Sequence, residues 1–294
     1  LEEALEQLER ARKMDMSHPG ILRMAGQMAR EAGQLERAEK AYRALLLVVR
    51  RQNPGDENLR VGASQVLYEL SLLATAQQDE AQAQELLETA LSTAAGHDAE
   101  AERLMGDLLG RGEVERALGL VERRLEAVDG APSEARMLAH RARILAEHLE
   151  RGEEALDAML SAVKLAPERE ALHERCRTLA AQMGATARYA TTLRELADGA
   201  RRKEDAPFGA GLLLRLGEVT ESDLGDLDGA AALYRRVEKL GERVVDAWLA
   251  LARVADARGD GDEEVRVLRQ LVEADGDLVP NDAQLLDAFC RRFG

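Results

Sequence analysis

The strongest constraint on the fold is a spacing. Between Gly26 and Leu46 a small residue inside one helical pattern (Gly26) is followed by a turn glycine (Gly33), then Leu35, a small Ala38 and, one helical turn later, the aromatic Tyr42. This reads as a helix, a tight turn and a second helix. The Ala38/Tyr42 frame recurs at Ala4 and Leu8, Ala83 and Leu87, Ala117 and Val121, Ala155 and Met159, Tyr189 and Leu193, Ala230 and Tyr234, and Glu264 and Leu268. Four of the steps are 34 residues and three are longer. A period of this size marks an array of stacked helix pairs, in which each pair buries its apolar side only against its neighbours. The expected fold is an all-α, right-handed α-solenoid of stacked antiparallel helix pairs.

The frame divides the chain as one array over residues 1–294. A half unit covers 1–16, whole units cover about 19–51, 64–97, 98–130, 136–167, 170–200, 209–244 and 245–276, and a final helix covers 281–292. The excess over the period at 52–62 (QNPGDENLRVG) is Pro-Gly-Asp turn chemistry and predicts the longest loop or a hinge. In the fourth unit the turn slips, because Gly152 sits closer to Ala155 than the frame expects. The six prolines, at 19, 54, 132, 167, 207 and 280, all fall at or beside these boundaries. Inside a helix each would cost about 3 kcal/mol, so their placement supports the frame independently. No stretch alternates with the period of two that a half-buried strand requires. The chain starts within a unit and ends after a lone helix, so it is expected to be a piece of a longer protein.

Composition narrows the function classes. No apolar run is long enough to cross a bilayer, so direct membrane insertion is not expected. A net charge of −15 repels phosphate backbones, which argues against nucleic acid and favours a neutral or basic partner. Arginine outnumbers lysine, which is confined to positions 13, 40, 164, 203 and 239, and with so much Ala and Gly this suggests a GC-rich, bacterial genome. Cys176 and Cys290 lie far apart on stripes that read as buried, and core thiols explain them better than a disulfide or a nucleophile. A cytoplasmic location is favoured.

Several patterns look chemical and are better explained otherwise. His140 and His148 are about 12 Å apart along one helix at 1.5 Å per residue, too far to share an ion. Asp256, Asp260, Asp262 and Glu263 crowd a turn without the ordered spacing of a calcium loop, and helix capping accounts for them. Gly209 and Gly211 in FGAGLLL have no preceding strand and no following Gly-Lys, so they read as the start of a helix and not as a phosphate loop. No metal and no cofactor is expected, and the chain is not expected to be an enzyme.

The repeat resembles the tetratricopeptide repeat family over essentially the whole chain. Gly26, Gly33, Ala38 and Tyr42 match that family's pattern in the first unit, Trp248, Leu251, Ala252 and Gly259 match its first half in the seventh, and Ala155, Ala162 and Pro167 match its second half in the fourth. Departures are Glu264 and Tyr189 at the small-residue position and Leu, Met or Val at most aromatic positions. The resemblance implies a non-catalytic interaction scaffold whose first helices line a concave face that binds a peptide or helix of a partner protein. Some members use a Lys/Asn clamp for a terminal carboxylate. Here the asparagines stand at 53, 58 and 281, off those helices, which disfavours that function.

The first-helix residues that the register leaves out of packing are the candidate partner-binding set. They are Arg23, Gln27, Arg30, Tyr68, Leu72, Leu109, His140, Ile144, His148, Leu249 and Arg253. Tyr68, Leu72, Leu109 and Ile144 are expected to form an exposed apolar patch, the usual mark of a partner site. Two other readings stand beside this one: a structural spacer or regulatory arm of a multidomain protein, and a helical-solenoid enzyme acting on a glycan. Leu1, Leu5 and Leu8 at one end and Leu285, Phe289 and Phe293 at the other are expected to promote end-to-end self-association.

Overall fold

The computed structural model describes residues 17–52 and 61–274, together with Gln7, Arg10, Asp15, Cys290 and Arg291. The terminal leucines and phenylalanines tied to self-association, and most of the 52–62 linker, lie outside the described residues. Among the described residues every regular element is an α-helix. The chain forms two compact units, one ending at Leu165 and one beginning at Ala166. The first holds α1 (Pro19–Glu31), α2 (Leu35–Val49), α3 (Ala63–Ala76), α4 (Glu80–Ala95), α5 (Asp98–Gly110), α6 (Val114–Ala127), α7 (Ala131–Glu147) and α8 (Gly152–Leu165). The second holds α9 (Glu170–Gln182), α10 (Thr186–Arg202), α11 (Ala206–Ser222), α12 (Leu227–Leu240), α13 (Val244–Arg258) and α14 (Gly261–Ala274).

Odd-numbered helices open each pair and even-numbered helices close it. Within the units each helix touches the next in sequence, and α3 also meets α5, α4 meets α6 and α11 meets α13. This nearest-neighbour pattern is that of an all-α solenoid built from stacked helix pairs.

Each turn within a pair contains one residue in the left-handed region. Five are glycines, Gly33, Gly112, Gly184, Gly225 and Gly259, whereas Gln78 (φ 63°) and Glu150 (φ 56°) fill the place in the second and fourth pairs. A backbone N–H beyond it closes each helix end. Gln34 donates to the Ala29 carbonyl at 2.8 Å, Glu113 to Leu108 at 2.9 Å and Asp260 to Ala255 at 2.9 Å. These bonds satisfy carbonyls that the helix itself leaves open. In the fourth pair Arg151 donates to Leu145 at 2.9 Å, one residue further back. The displaced glycine there is therefore explained: Glu150 takes the left-handed role and Gly152 begins α8. The same unit starts earlier than the frame expects. Gly130, at φ 107°, precedes a helix that begins at Ala131 and carries Pro132 in its first turn.

Small residues let the paired helices approach. Ala38, Ala117, Ala155 and Ala230 are fully buried. Where the frame has Tyr189 and Glu264, the larger side chains are also fully buried. The Tyr189 hydroxyl donates to Nδ1 of His173 at 2.9 Å, while Nε2 of that histidine donates to the Pro167 carbonyl at 2.8 Å. A carbonyl can only accept, so the proton of this ring sits on Nε2. Burial, only partly opposed by the Pro167 bond, lowers the His173 pKa.

Cys176 is buried, and burial pushes its thiol up to about 12, as expected of a core cysteine. Cys290, read from the sequence as buried, is exposed.

Candidate partner-binding surface

The first helices carry a polar side that is tied together across pairs. In the first unit Glu69 on α3 accepts from Arg30 on α1 at 2.7 Å and from Arg111, just after α5, at 2.5 Å. Arg111 also lies over the Tyr68 ring, 5.5 Å from its centroid. The Tyr68 hydroxyl donates to Glu113, which Arg116 also holds. Gln65 reaches from α3 to Asp107 on α5 at 2.7 Å. Further along, His140 on α7 meets Glu102 on α5 at 3.3 Å, and Arg136 approaches both Asp98 and Glu102 at 3.8 Å. His140 is the main cause of the lowered pKa of Glu102. At Asp98 burial opposes ionisation, but bonds from Ser133 and Arg124 outweigh it and lower the pKa.

A buried carboxylate also anchors α3. Glu100, 2% exposed on α5, accepts from the backbone N–H of Ala63 at 3.1 Å and of Ser64 at 2.9 Å. A carboxylate at a helix N-terminus satisfies open donors and complements the helix dipole.

The second unit repeats the theme with different residues. Glu170 on α9 accepts from Arg215 on α11, one of the two bonds being 2.7 Å. Arg177 on α9 holds Asp223 through Nε at 2.7 Å and Nη2 at 2.8 Å, and Glu218 through Nη1 at 2.6 Å. Glu221 on α11 takes Arg253 of α13 bidentately at 2.6 and 2.8 Å, and also accepts from Tyr234 at 2.8 Å. Beside these pairs α9, α11 and α13 enclose a groove of about 540 Å³. It is lined by the apolar or small residues Gly211, Leu214, Leu249 and Ala250 and by Arg215, Arg243, Arg253, Glu170, Glu218 and Asp246, among which Arg215 pairs with Glu170 and Arg243 with Asp246.

The predicted residues fare differently. Arg23, Gln27 and Arg30 are half-buried on α1, Leu72 and Leu109 half-buried on α3 and α5, His140 half-buried on α7, and His148 exposed at the end of α7. Leu249 and Arg253 come together in the groove. Tyr68 and Ile144, expected to stand outside the inter-helix core, are both 0% exposed. Helix α3 packs against α2, α4 and α5, and α7 packs against α6 and α8, so these opening helices have little free apolar surface. The continuous patch of Tyr68, Leu72, Leu109 and Ile144 therefore does not form. A recess of about 210 Å³ keeps part of it, lined by Tyr68, Leu72, Leu87 and Arg116.

Sequence reasoning missed Glu69, Arg111, Arg215, Glu221 and Arg243. One signal was present: Glu221 stands four residues after Gly217, as Arg30 stands four after Gly26, one helical turn beyond the small residue in both helices. No group of His, Cys, Asp and Glu among the described residues is arranged to hold a metal ion. Among the same residues no helix is long and apolar enough to cross a membrane.

Helix pairs turned by a left-handed residue, closed on small side chains and stacked in sequence define a helical repeat protein. The chain belongs to the tetratricopeptide repeat family, whose profile matches residues 1–57, 104–170 and 219–279, more than half of its length. Members of this family are commonly protein-interaction scaffolds and generally non-catalytic. The chain is similar to a tetratricopeptide repeat protein from Parabacteroides merdae ATCC 43184, with 14% identity over 94% of this chain and 99% of that one and a TM-score of 0.34. It is similar also to PilW, a widely conserved type IV pilus biogenesis factor, with 15% identity over 77% of this chain and 98% of that one and a TM-score of 0.37. A third similar structure is Pseudomonas aeruginosa PilF, with 16% identity over 94% of this chain and 98% of that one and a TM-score of 0.32. No protein of curated function matches it in sequence.

Proposed function

We propose that the protein is a non-catalytic scaffold that holds a segment of a partner protein against the opening-helix side of its repeats, with the groove of the second unit as the principal seat. The supporting observation is the make-up of that groove, whose lining combines apolar Leu214, Leu249 and Ala250 with three arginines and three carboxylates. A lining of this kind accepts one or two apolar anchors and its charges fix their register, which is how a few buried contacts carry most of a binding energy. Equal numbers of opposite charges favour a partner segment that is neutral where it lies in the groove.

Neither Glu170 nor Glu221 suits the general acid of glycan hydrolysis. A general acid needs a raised pKa. The Arg215 bond lowers Glu170, and at Glu221 the bonds from Arg253 and Tyr234 outweigh burial and lower it as well. A structural spacer is the second reading, favoured by the ion pairs that already join successive opening helices. The test is co-purification from the source cells, comparing wild type with the double variant Arg243→Glu, Arg253→Ala. The scaffold reading expects a partner to be depleted about tenfold at unchanged melting temperature. Identical sets of bound proteins would favour the spacer.

A further inference from the structure

A buried chain of polar groups in the second unit ends in its groove. His173, 1% exposed on α9, donates from Nε2 to the Pro167 carbonyl and accepts at Nδ1 from the Tyr189 hydroxyl of α10. The same hydroxyl oxygen interacts with Arg215 of α11. A guanidinium can only donate, so this oxygen gives its proton to the histidine and receives one from the arginine. Arg215 lines the groove, where it pairs with Glu170. A ring in the core and a guanidinium at the surface are therefore joined through one oxygen. Tyr68 and Tyr234 give their protons instead to Glu113 and Glu221, carboxylates whose lowered pKa keeps them charged near neutrality. Tyr189 gives its proton to an imidazole, the side chain whose charge changes nearest neutral pH.

We propose that His173 is a pH-operated positioning residue for this groove: when its ring takes up a proton, Nδ1 becomes a donor, claims the Tyr189 oxygen and releases Arg215 from it, so that a segment held in the groove is let go. The hydroxyl turns its own proton away from the ring, and the new positive charge repels the guanidinium. Of the charges bearing on the ring, Arg215 opposes the proton, while Glu170 and Glu168 favour it. Arg177 and Cys176 bear on Tyr189 and keep their states, the arginine charged and the thiol pushed up to about 12. The Arg215 bond lowers Glu170, which stays ionised, so the change near neutrality belongs to His173. Before it, Arg215 is fixed from two sides and the groove is pre-organised; after it, ordering that side chain draws on the binding energy. One proton limits the loss of affinity to about tenfold per pH unit. The proposal rests on the scaffold reading in giving the groove an occupant, whereas the response of Arg215 does not.

The test is NMR of the full chain with 15N-labelled histidine and arginine, titrated from about pH 7.5 to about pH 5. His173 is expected to titrate below its ordinary value of 6.5, and the Arg215 Nε signal to shift with the same midpoint. In Tyr189→Phe the ring is expected to titrate without moving the Arg215 signal. In His173→Gln, which keeps a donor and an acceptor and does not titrate, that signal is expected to stay constant. Co-purification from the source cells is expected to recover about tenfold less partner from wild type at the lower pH, and as much as before from His173→Gln. The proposal is overturned if the ring stays neutral down to the lower pH, if Arg215 does not follow it, if Arg215 moves equally in either variant, or if partner recovery falls equally in His173→Gln. Should no partner be recovered from wild type at either pH, the scaffold reading fails and the gating of a partner fails with it, while the Arg215 response, read on the chain alone, tells the two failures apart.

Discussion

A Cβ placed on Gly217 would lie 2.3 Å from Cε1 of Tyr234, and one on Gly26 would lie 2.8 Å from Cζ of Tyr42. In both pairs a tyrosine of the closing helix lies flat against a glycine of the opening helix. Neither ring can move aside, since both tyrosines are 1% exposed. Gly217→Ala and Gly26→Ala should therefore destabilise by about 1–3 kcal/mol through overpacking, against the small gain in helix propensity that alanine brings elsewhere. Urea unfolding of the two variants measures this. Unchanged midpoints would mean that the helices can separate without cost.

The turns offer a change of the opposite sign. Glu150 occupies at φ 56° the place that glycine takes in five other turns. A residue with a Cβ is held there at about 1 kcal/mol, and glycine is not. Glu150→Gly is expected to stabilise the first unit by roughly 0.5–1 kcal/mol, the left-handed penalty less the chain entropy of glycine. A lower melting temperature would show that the Glu150 side chain contributes more than its backbone costs.

The array itself was legible because its signals are local. A glycine or alanine at a crossing, an aromatic one turn on and a proline at a boundary are each decided by a handful of neighbouring atoms. The candidate binding face was not legible, since which side of an opening helix is free depends on the helices before and after it. On α3 residues from Ser64 to Tyr68 are buried without a break, so no single stripe in the sequence separates packed from free. The ion pairs escaped for the same reason, because Arg30 and Glu69, or Glu170 and Arg215, are far apart in sequence.

Ile144 gives the sharpest correction to the sequence reading. As a residue with no exposure it should tolerate no charge, and Ile144→Asp is expected to destabilise by more than about 3 kcal/mol, through both a lost side chain and a buried carboxylate. Circular dichroism should show a marked fall in melting temperature. A folded, equally stable variant would return Ile144 to the surface.

His173 predicts a pH response of the second unit. Burial lowers its pKa from the ordinary value of 6.5, so the fold holds the ring neutral. Below that value the unfolded chain takes up a proton that the folded chain does not, and stability falls with pH by at most about 1.4 kcal/mol per unit until the folded ring itself titrates. Above it this residue contributes no pH dependence. Thermal melts between neutral pH and pH 5 should show the decline, and His173→Gln should flatten it. A decline of equal size in the variant would assign the effect to other groups.

The central claim is that partners are held on the opening-helix side. A photo-reactive amino acid at Leu249, in the groove, can be compared with one at Ala232, exposed on the closing helix α12, in the full-length protein in its own cells. The account predicts a cross-linked partner from position 249 and none from position 232. Cross-linking from position 232 alone, or equally from both, would contradict it.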